Sequence, residues 1–148
     1  MKTATAGWCL TACEVLLSCV LVACSTHRAQ AADPGAQGMF DFSEGEQVYA
    51  HLCQACHMPD GRGAQGAGHY PALAGDPALA SADFVAATIL NGRRNMPSFR
   101  HHENFEFFFG PTWLTDTQVA NVVNYVRSHF GNRFEGEITP AEVAALHP

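Results

Sequence analysis

Positive charge is scarce in this chain. Lysine occurs once, at Lys2, and the 148 residues carry a formal charge of −6. Phosphate backbones are gripped by clustered lysine and arginine, so this composition excludes nucleic acid as a partner and favours a neutral or basic partner surface. A long hydrophobic run is missing as well. The most apolar stretch, "VLLSCVLVA" (Val15–Ala23), falls far short of the roughly 20 residues that a membrane-spanning helix needs. Material for disulfides is also short: of six cysteines, Cys9, Cys13, Cys19 and Cys24 precede residue 25, leaving only Cys53 and Cys56 for a folded domain. Two cysteines make no disulfide framework. A chain of this length holds one small domain with a real core, plus whatever its ends carry.

The N-terminal run has the length of the apolar region of an export signal, preceded by the weak positive charge of Lys2. It ends in "LVAC", Leu21 to Cys24, which resembles the lipobox of bacterial lipoproteins. On that reading residues 1–23 are a signal peptide, Cys24 becomes the lipidated N-terminus, and the domain is held on the periplasmic side of a membrane. Cleavage after "AQA", Ala29 to Ala31, is the alternative and leaves a protein free in the periplasm; Glu14 beside the apolar run is unusual for either route. Residues 24–38 are small and polar without apolar periodicity, as in a flexible tether. Residues 39–148 form the domain.

Within it, the stretch "CQACHMPDGRG", Cys53 to Gly63, places two cysteines three apart with a histidine directly after the second. A thiol–disulfide redox pair, half of a zinc site and covalent haem attachment all use paired cysteines. A redox pair of the thioredoxin kind needs a strand before it, whereas Ser43 and Glu46 here read as an S-x-x-E capping box opening a helix with Val48, Tyr49 and Leu52 on one face. A closed zinc site needs four ligands, and no second cysteine pair supplies them. Haem attachment alone uses all three residues: the thiols of Cys53 and Cys56 add across the two vinyl groups, and His57 becomes the proximal iron ligand.

Further along, Ser81 caps a predicted helix over Ala82 to Asn91 that Gly92 stops. Thr115 and Gln118 form a capping box for a C-terminal helix in which Val119, Val122, Val123, Val126 and Phe130 recur at helical spacing, with Gly131 as its stop. Past it, Thr139, Pro140 and Glu142 open a short additional helix.

With these elements in order, the segment from about Phe40 to Asn132 resembles the class I cytochromes c of the bacterial periplasm. The resemblance rests on "CQACH", "DGRGAQGAG", "YPALAG", "RRNMPSF" and "LTDTQVANVVNYVRSHFGN". It implies an all-α cytochrome c fold of three to five helices around one covalently bound haem c. It also implies that the Pro71 carbonyl accepts a hydrogen bond from the second ring nitrogen of His57, with a plain turn proline as the alternative. The same precedent crosses the first and last helices near Gly45 and Tyr49, against Tyr125 and Val126. The "TPAEVAAL" tail is similar to those of cytochrome subunits serving periplasmic dehydrogenases.

The sixth iron ligand decides between functions. Met58 follows the proximal histidine and cannot reach the opposite face, and Met39 precedes the first helix, so Met96, in "MPSF" after the predicted helix, is the candidate. A thioether favours ferrous iron and suits an electron carrier; Met96 as a core filler is the alternative, with His101, His102 or His69 as substitute ligands. Arg93, Arg94 and Arg100 surround Met96 and suit haem propionates, an acidic partner or simply solvent. Phe105, Phe107, Phe108, Phe109 and Trp113 lengthen the link to the last helix; most are expected over the haem edge, with a partly exposed docking patch as the alternative. The expected function is one-electron transfer with a periplasmic or membrane dehydrogenase, or a terminal oxidase or reductase, as redox partner, and the chain is not itself an enzyme. A haem enzyme or sensor with a labile sixth position is the alternative.

Overall fold

The computed structural model describes residues 39–66, 68–101 and 112–148. The expected signal peptide, Cys24 and the tether lie outside these residues, as do His102, Phe105, Phe107, Phe108 and Phe109. Among the described residues no helix is long and apolar enough to cross a membrane.

The chain enters through α1 (Gly45–Val48), passes through a π-helical segment (Tyr49–Cys53) and continues as α2 (Gln54–His57). Two-residue strands β1 (Ala64–Gln65) and β2 (His69–Tyr70) pair antiparallel, with Ala64 opposite Tyr70. A 3₁₀ turn, Pro77–Ala80, leads into α3 (Ala82–Asn91); α4 (Asp116–Ser128) and α5 (Pro140–Ala144) complete the order. The fold is all-α, as the sequence implied.

Caps mark most of these boundaries. The Ser81 hydroxyl accepts from the Phe84 amide at 3.2 Å, and Gly92 ends α3 with a φ of +71° that costs glycine little. Thr115 with Gln118, and Thr139 with Glu142, form reciprocal capping boxes. The first helix departs from expectation. Its N-cap is Glu44, no side chain caps it, and the Ser43 carbonyl instead accepts from Asn121 Nδ2 on α4 at 2.9 Å. Packing against α4 sets this start. A Cβ on Gly45 would lie 2.2 Å from the Asn121 carbonyl oxygen and 2.7 Å from Tyr125 Cβ, so the glycine permits the close crossing that the sequence suggested.

The core collects Val48 from α1, Val85, Ala86, Ile89 and Leu90 from α3, and Val119, Val122, Val123 and Val126 from α4, all buried. Spacing of three and four residues places each set on one helix face. The C-terminal extension belongs to this core, since Ile138 and Val143 are buried too.

Among the described residues, one buried side chain is charged. Arg127 is 4% exposed; its Nε donates to the Leu79 carbonyl at 2.9 Å, and Nη2 donates to the carbonyls of Glu135 at 2.8 Å and Ala80 at 3.3 Å. Nη1 donates to the Gly136 carbonyl. No carboxylate pairs with it among the described residues. The planar guanidinium therefore joins the 3₁₀ turn to the extension through carbonyl dipoles alone.

Candidate functional site

Cys53 closes the π-helical segment, and Cys56 and His57 occupy α2. Residues three and four apart share a helix face, which groups both thiols with the imidazole. Both cysteines are free and half-buried. Burial, with the neighbouring Cys56 thiol, pushes the Cys53 thiol up to about 12, so before any covalent attachment it stands as the neutral thiol at physiological pH.

His57 Nδ1 lies 3.0 Å from the Pro71 carbonyl oxygen. A carbonyl has no proton to give, so Nδ1–H is the donor and the other ring nitrogen, Nε2, keeps its lone pair as a ligand. The intervening loop is shaped for this contact. Met58 adopts a φ of +64°, and Gly61 and Gly63 have φ of +68° and +65°. A Cβ on Gly63 would meet the Tyr70 carbonyl oxygen at 2.2 Å, so only glycine lets the loop return beside Tyr70 and Pro71. The Gly63 amide donates back to the His57 carbonyl at 3.0 Å.

Tyr49 supports the same loop and was not identified from the sequence as more than a core residue. Its hydroxyl donates to the Met58 carbonyl at 2.6 Å, and its ring packs 4.8 Å from Phe130 and 5.7 Å from Tyr125. Desolvation is the main cause that raises this phenol to about 12. A buried tyrosine needs a partner for its hydroxyl, which is the signal that would have exposed its role.

Met96 is partly buried and packs against the core cluster. Its loop is tightly braced: Arg93 and Met96 exchange backbone hydrogen bonds at 3.1 and 3.0 Å, and Arg94 between them has a φ of +54°. A Cβ on Gly92 would stand 2.7 Å from the Met96 carbonyl oxygen. The Ser98 hydroxyl donates to the Leu90 carbonyl at 2.5 Å and the Phe99 amide to the Ile89 carbonyl at 3.0 Å, which pins the loop to the end of α3.

The other candidates are placed differently. His101 is exposed and packs edge-on against Trp113 at 4.5 Å, and His69 is exposed on β2. Arg93 lies over the Phe84 ring at 5.4 Å. The guanidinium of Arg100 is held by Asn91, while its Nε has no acceptor among the described residues. A cavity of about 550 Å³ between α1 and α4 is lined by Glu44, Glu46, Tyr125, His129 and Glu137, among others, and shares no residue with the cysteine motif. Among the described residues no group of three or more His, Cys, Asp or Glu is placed to hold a metal ion unaided.

Two free thiols on one helical face and an oriented imidazole with a free Nε2 fit haem c, which takes two thioether links and an axial nitrogen. These features define a haem-attachment domain of the c type. The chain belongs to the cytochrome c family, whose members hold haem c covalently and transfer electrons rather than catalyse; the family match covers residues 42–130.

Its relatives include the fructose dehydrogenase cytochrome subunit of Gluconobacter japonicus, 35% identical over 97 residues, covering 61% of this chain and 19% of the relative. The cytochrome c subunit of the quinone alcohol dehydrogenase of Gluconobacter oxydans is 30% identical over 125 residues, 76% of this chain and 23% of the relative. The gluconate 2-dehydrogenase cytochrome c subunit of Pantoea cypripedii is 33% identical over 112 residues, 72% and 24% respectively. The matched region thus spans about a quarter or less of these relatives' length.

Proposed function

We propose that this domain is a mono-haem electron carrier with His57 and Met96 as axial ligands, attached through Cys53 and Cys56. Bound haem supplies a one-electron ferric–ferrous couple. The chain's own residues then do three things. Cys53 and Cys56 retain the cofactor in both oxidation states, Pro71 holds the His57 ring with Nε2 presented, and the braced loop around Met96 offers a thioether that raises the potential and closes the sixth position. The observation that carries the reading is the 3.0 Å contact between His57 Nδ1 and the Pro71 carbonyl oxygen in a C-x-x-C-H context.

The redox partner, on this reading, is a dehydrogenase, because the relatives named above are cytochrome subunits of fructose, alcohol and gluconate dehydrogenases. The "LVAC" stretch supports export and lipidation at Cys24, which sets the domain on the periplasmic side of a membrane within reach of that partner.

The test is the optical spectrum of the ferric protein, purified after export with haem-attachment machinery. A weak long-wavelength methionine–iron band that disappears in Met96→Ala, with haem retained, is the expected result. Cys53→Ala and Cys56→Ala should each cut covalent haem incorporation. Haem bound without the band in the unmodified protein would sink Met96 as ligand and bring forward a histidine or an open sixth position.

A further inference from the structure

Asn132 lies beyond the end of α4, is only 4% exposed, and spends its whole amide group on backbone. Its Nδ2 donates to the Leu73 carbonyl at 3.0 Å and the Val126 carbonyl at 2.8 Å, and its Oδ1 accepts from the Gly75 amide at 2.8 Å. Two of these three contacts clamp the short loop from Pro71 to Gly75 onto the last turn of α4. The opposite side of that loop is clamped to the turn after His57, since the amides of Leu73 and Ala74 both donate to the Gly61 carbonyl, at 2.7 and 2.9 Å. Pro71 begins the loop, and its carbonyl is the acceptor for His57 Nδ1.

The backbone is bent to deliver this side chain. Phe130 adopts a φ of +57°, unfavourable for a residue with a Cβ, and Gly131 follows with +83°. The Asn132 amide then donates to the His129 carbonyl at 2.9 Å. Phe130 also faces Gly61 so closely that a Cβ on that glycine would sit 2.6 Å from the ring. The turn after α4 therefore holds both sides of the histidine loop, with Phe130 against Gly61 and Asn132 on Leu73 and Gly75.

We infer that Asn132 is a positioning residue for the haem histidine: by locking the Pro71–Gly75 loop, it fixes the carbonyl that orients and polarises the His57 imidazole. The inference rests on the reading of His57 as the proximal ligand. Donation from Nδ1 makes the imidazole more basic, which favours ferric iron. Loosening the Pro71 carbonyl weakens that donation and tilts the couple toward the ferrous form.

Asn124 supplies the control. It stands on α4 and makes a reciprocal pair with Ile138, Nδ2 to the carbonyl at 3.0 Å and the Ile138 amide to Oδ1 at 3.0 Å, with no contact to the histidine loop. Asn132→Ala and Asn124→Ala are compared with the unmodified protein in the haem-loaded full chain. The midpoint potential is measured together with the exchange rate of the His57 ring N–H by NMR in the ferrous state. Asn132→Ala is expected to shift the ferric–ferrous equilibrium toward ferrous by about fivefold, the equivalent of one net hydrogen bond, and to speed ring N–H exchange. Asn124→Ala should move neither. Coincidence of both variants with the unmodified protein overturns the inference.

Should Asn132→Ala fail to fold, exchange in the unmodified protein decides. Opening of the His57 ring N–H together with the Gly75 amide supports the coupling, and independent opening overturns it. Absence of haem-shifted imidazole resonances in the unmodified protein would remove the His57 reading itself. Normal resonances with an unchanged potential in Asn132→Ala would remove only the role of Asn132.

Discussion

The hydroxyl of Tyr49 stands 2.6 Å from the carbonyl oxygen of Met58, so the residue after His57 is held from the helical segment that ends at Cys53. Met58 has a φ of +64°, a conformation that needs external support in a residue with a side chain. Its carbonyl also accepts from the Gly61 amide at 3.0 Å. Tyr49→Phe should therefore lower stability by about 1 kcal/mol, because the acceptor keeps one of its two donors. Denaturant unfolding of the haem-loaded protein checks this, and an unchanged midpoint would refute it.

Arg127 should be far less tolerant. Arg127→Leu leaves the carbonyls of Leu79, Ala80, Glu135 and Gly136 without their donor, at a cost of about 3 kcal/mol or more. Arg127→Lys should not restore stability, because an ammonium cannot reproduce the guanidinium fork. Limited proteolysis is the direct measurement. Faster cutting within residues 133–148 of both variants is expected, and an unaltered digestion pattern would contradict the bridge.

The helix crossing makes a third case. Gly45→Ala places a methyl 2.2 Å from a backbone oxygen of α4 and must push the helices apart, costing about 1–3 kcal/mol. Gly136→Ala is the comparison, since it meets nothing within 4 Å and carries only the strain of its φ of +76°, about 1 kcal/mol. Thermal unfolding should rank Gly45→Ala as the more damaging, and the reverse order would argue against the close approach.

Burial raises three groups, Cys53, Tyr49 and Tyr125, and the first two set the alkaline stability. The Cys53 thiol moves from 9.0 to about 12, chiefly by burial, and the Tyr49 phenol from 10.0 to about 12, again chiefly by burial. Each is neutral when protonated, so folding favours the protonated form. The stability they contribute is complete below the unfolded value and is lost as pH rises through the folded one. The cofactor-free chain should weaken progressively between pH 9 and 12. On the proposed attachment, Cys53 in haem-loaded protein is a thioether and cannot titrate, so its share of the loss should vanish and the onset move toward the Tyr49 window above pH 10. Equal alkaline profiles for the two forms would contradict this account.

The sequence by itself determined the family motif and most of the helical grammar. C-x-x-C-H is local, and its meaning depends on spacing that the chain carries in any conformation. The same holds for Thr115 with Gln118, Thr139 with Glu142, and Ser81 with Phe84, because caps are bonds between near neighbours. The Ser43–Glu46 box has equal local merit and does not form. There the competing partner is Asn121, distant in sequence, and the crossing at Gly45 sets the helix start.

Tertiary structure alone decided the remainder. The π-helical segment that ends at Cys53, the hydroxyl contact from Tyr49 to Met58, the carbonyl cage around Arg127 and the clamp of Asn132 on Leu73 and Gly75 all join residues through polar groups of the backbone. A carbonyl is present at every residue and marks none of them, so no sequence pattern records which one a buried side chain will find. Only the packed fold brings the turn after α4 beside the loop that orients His57.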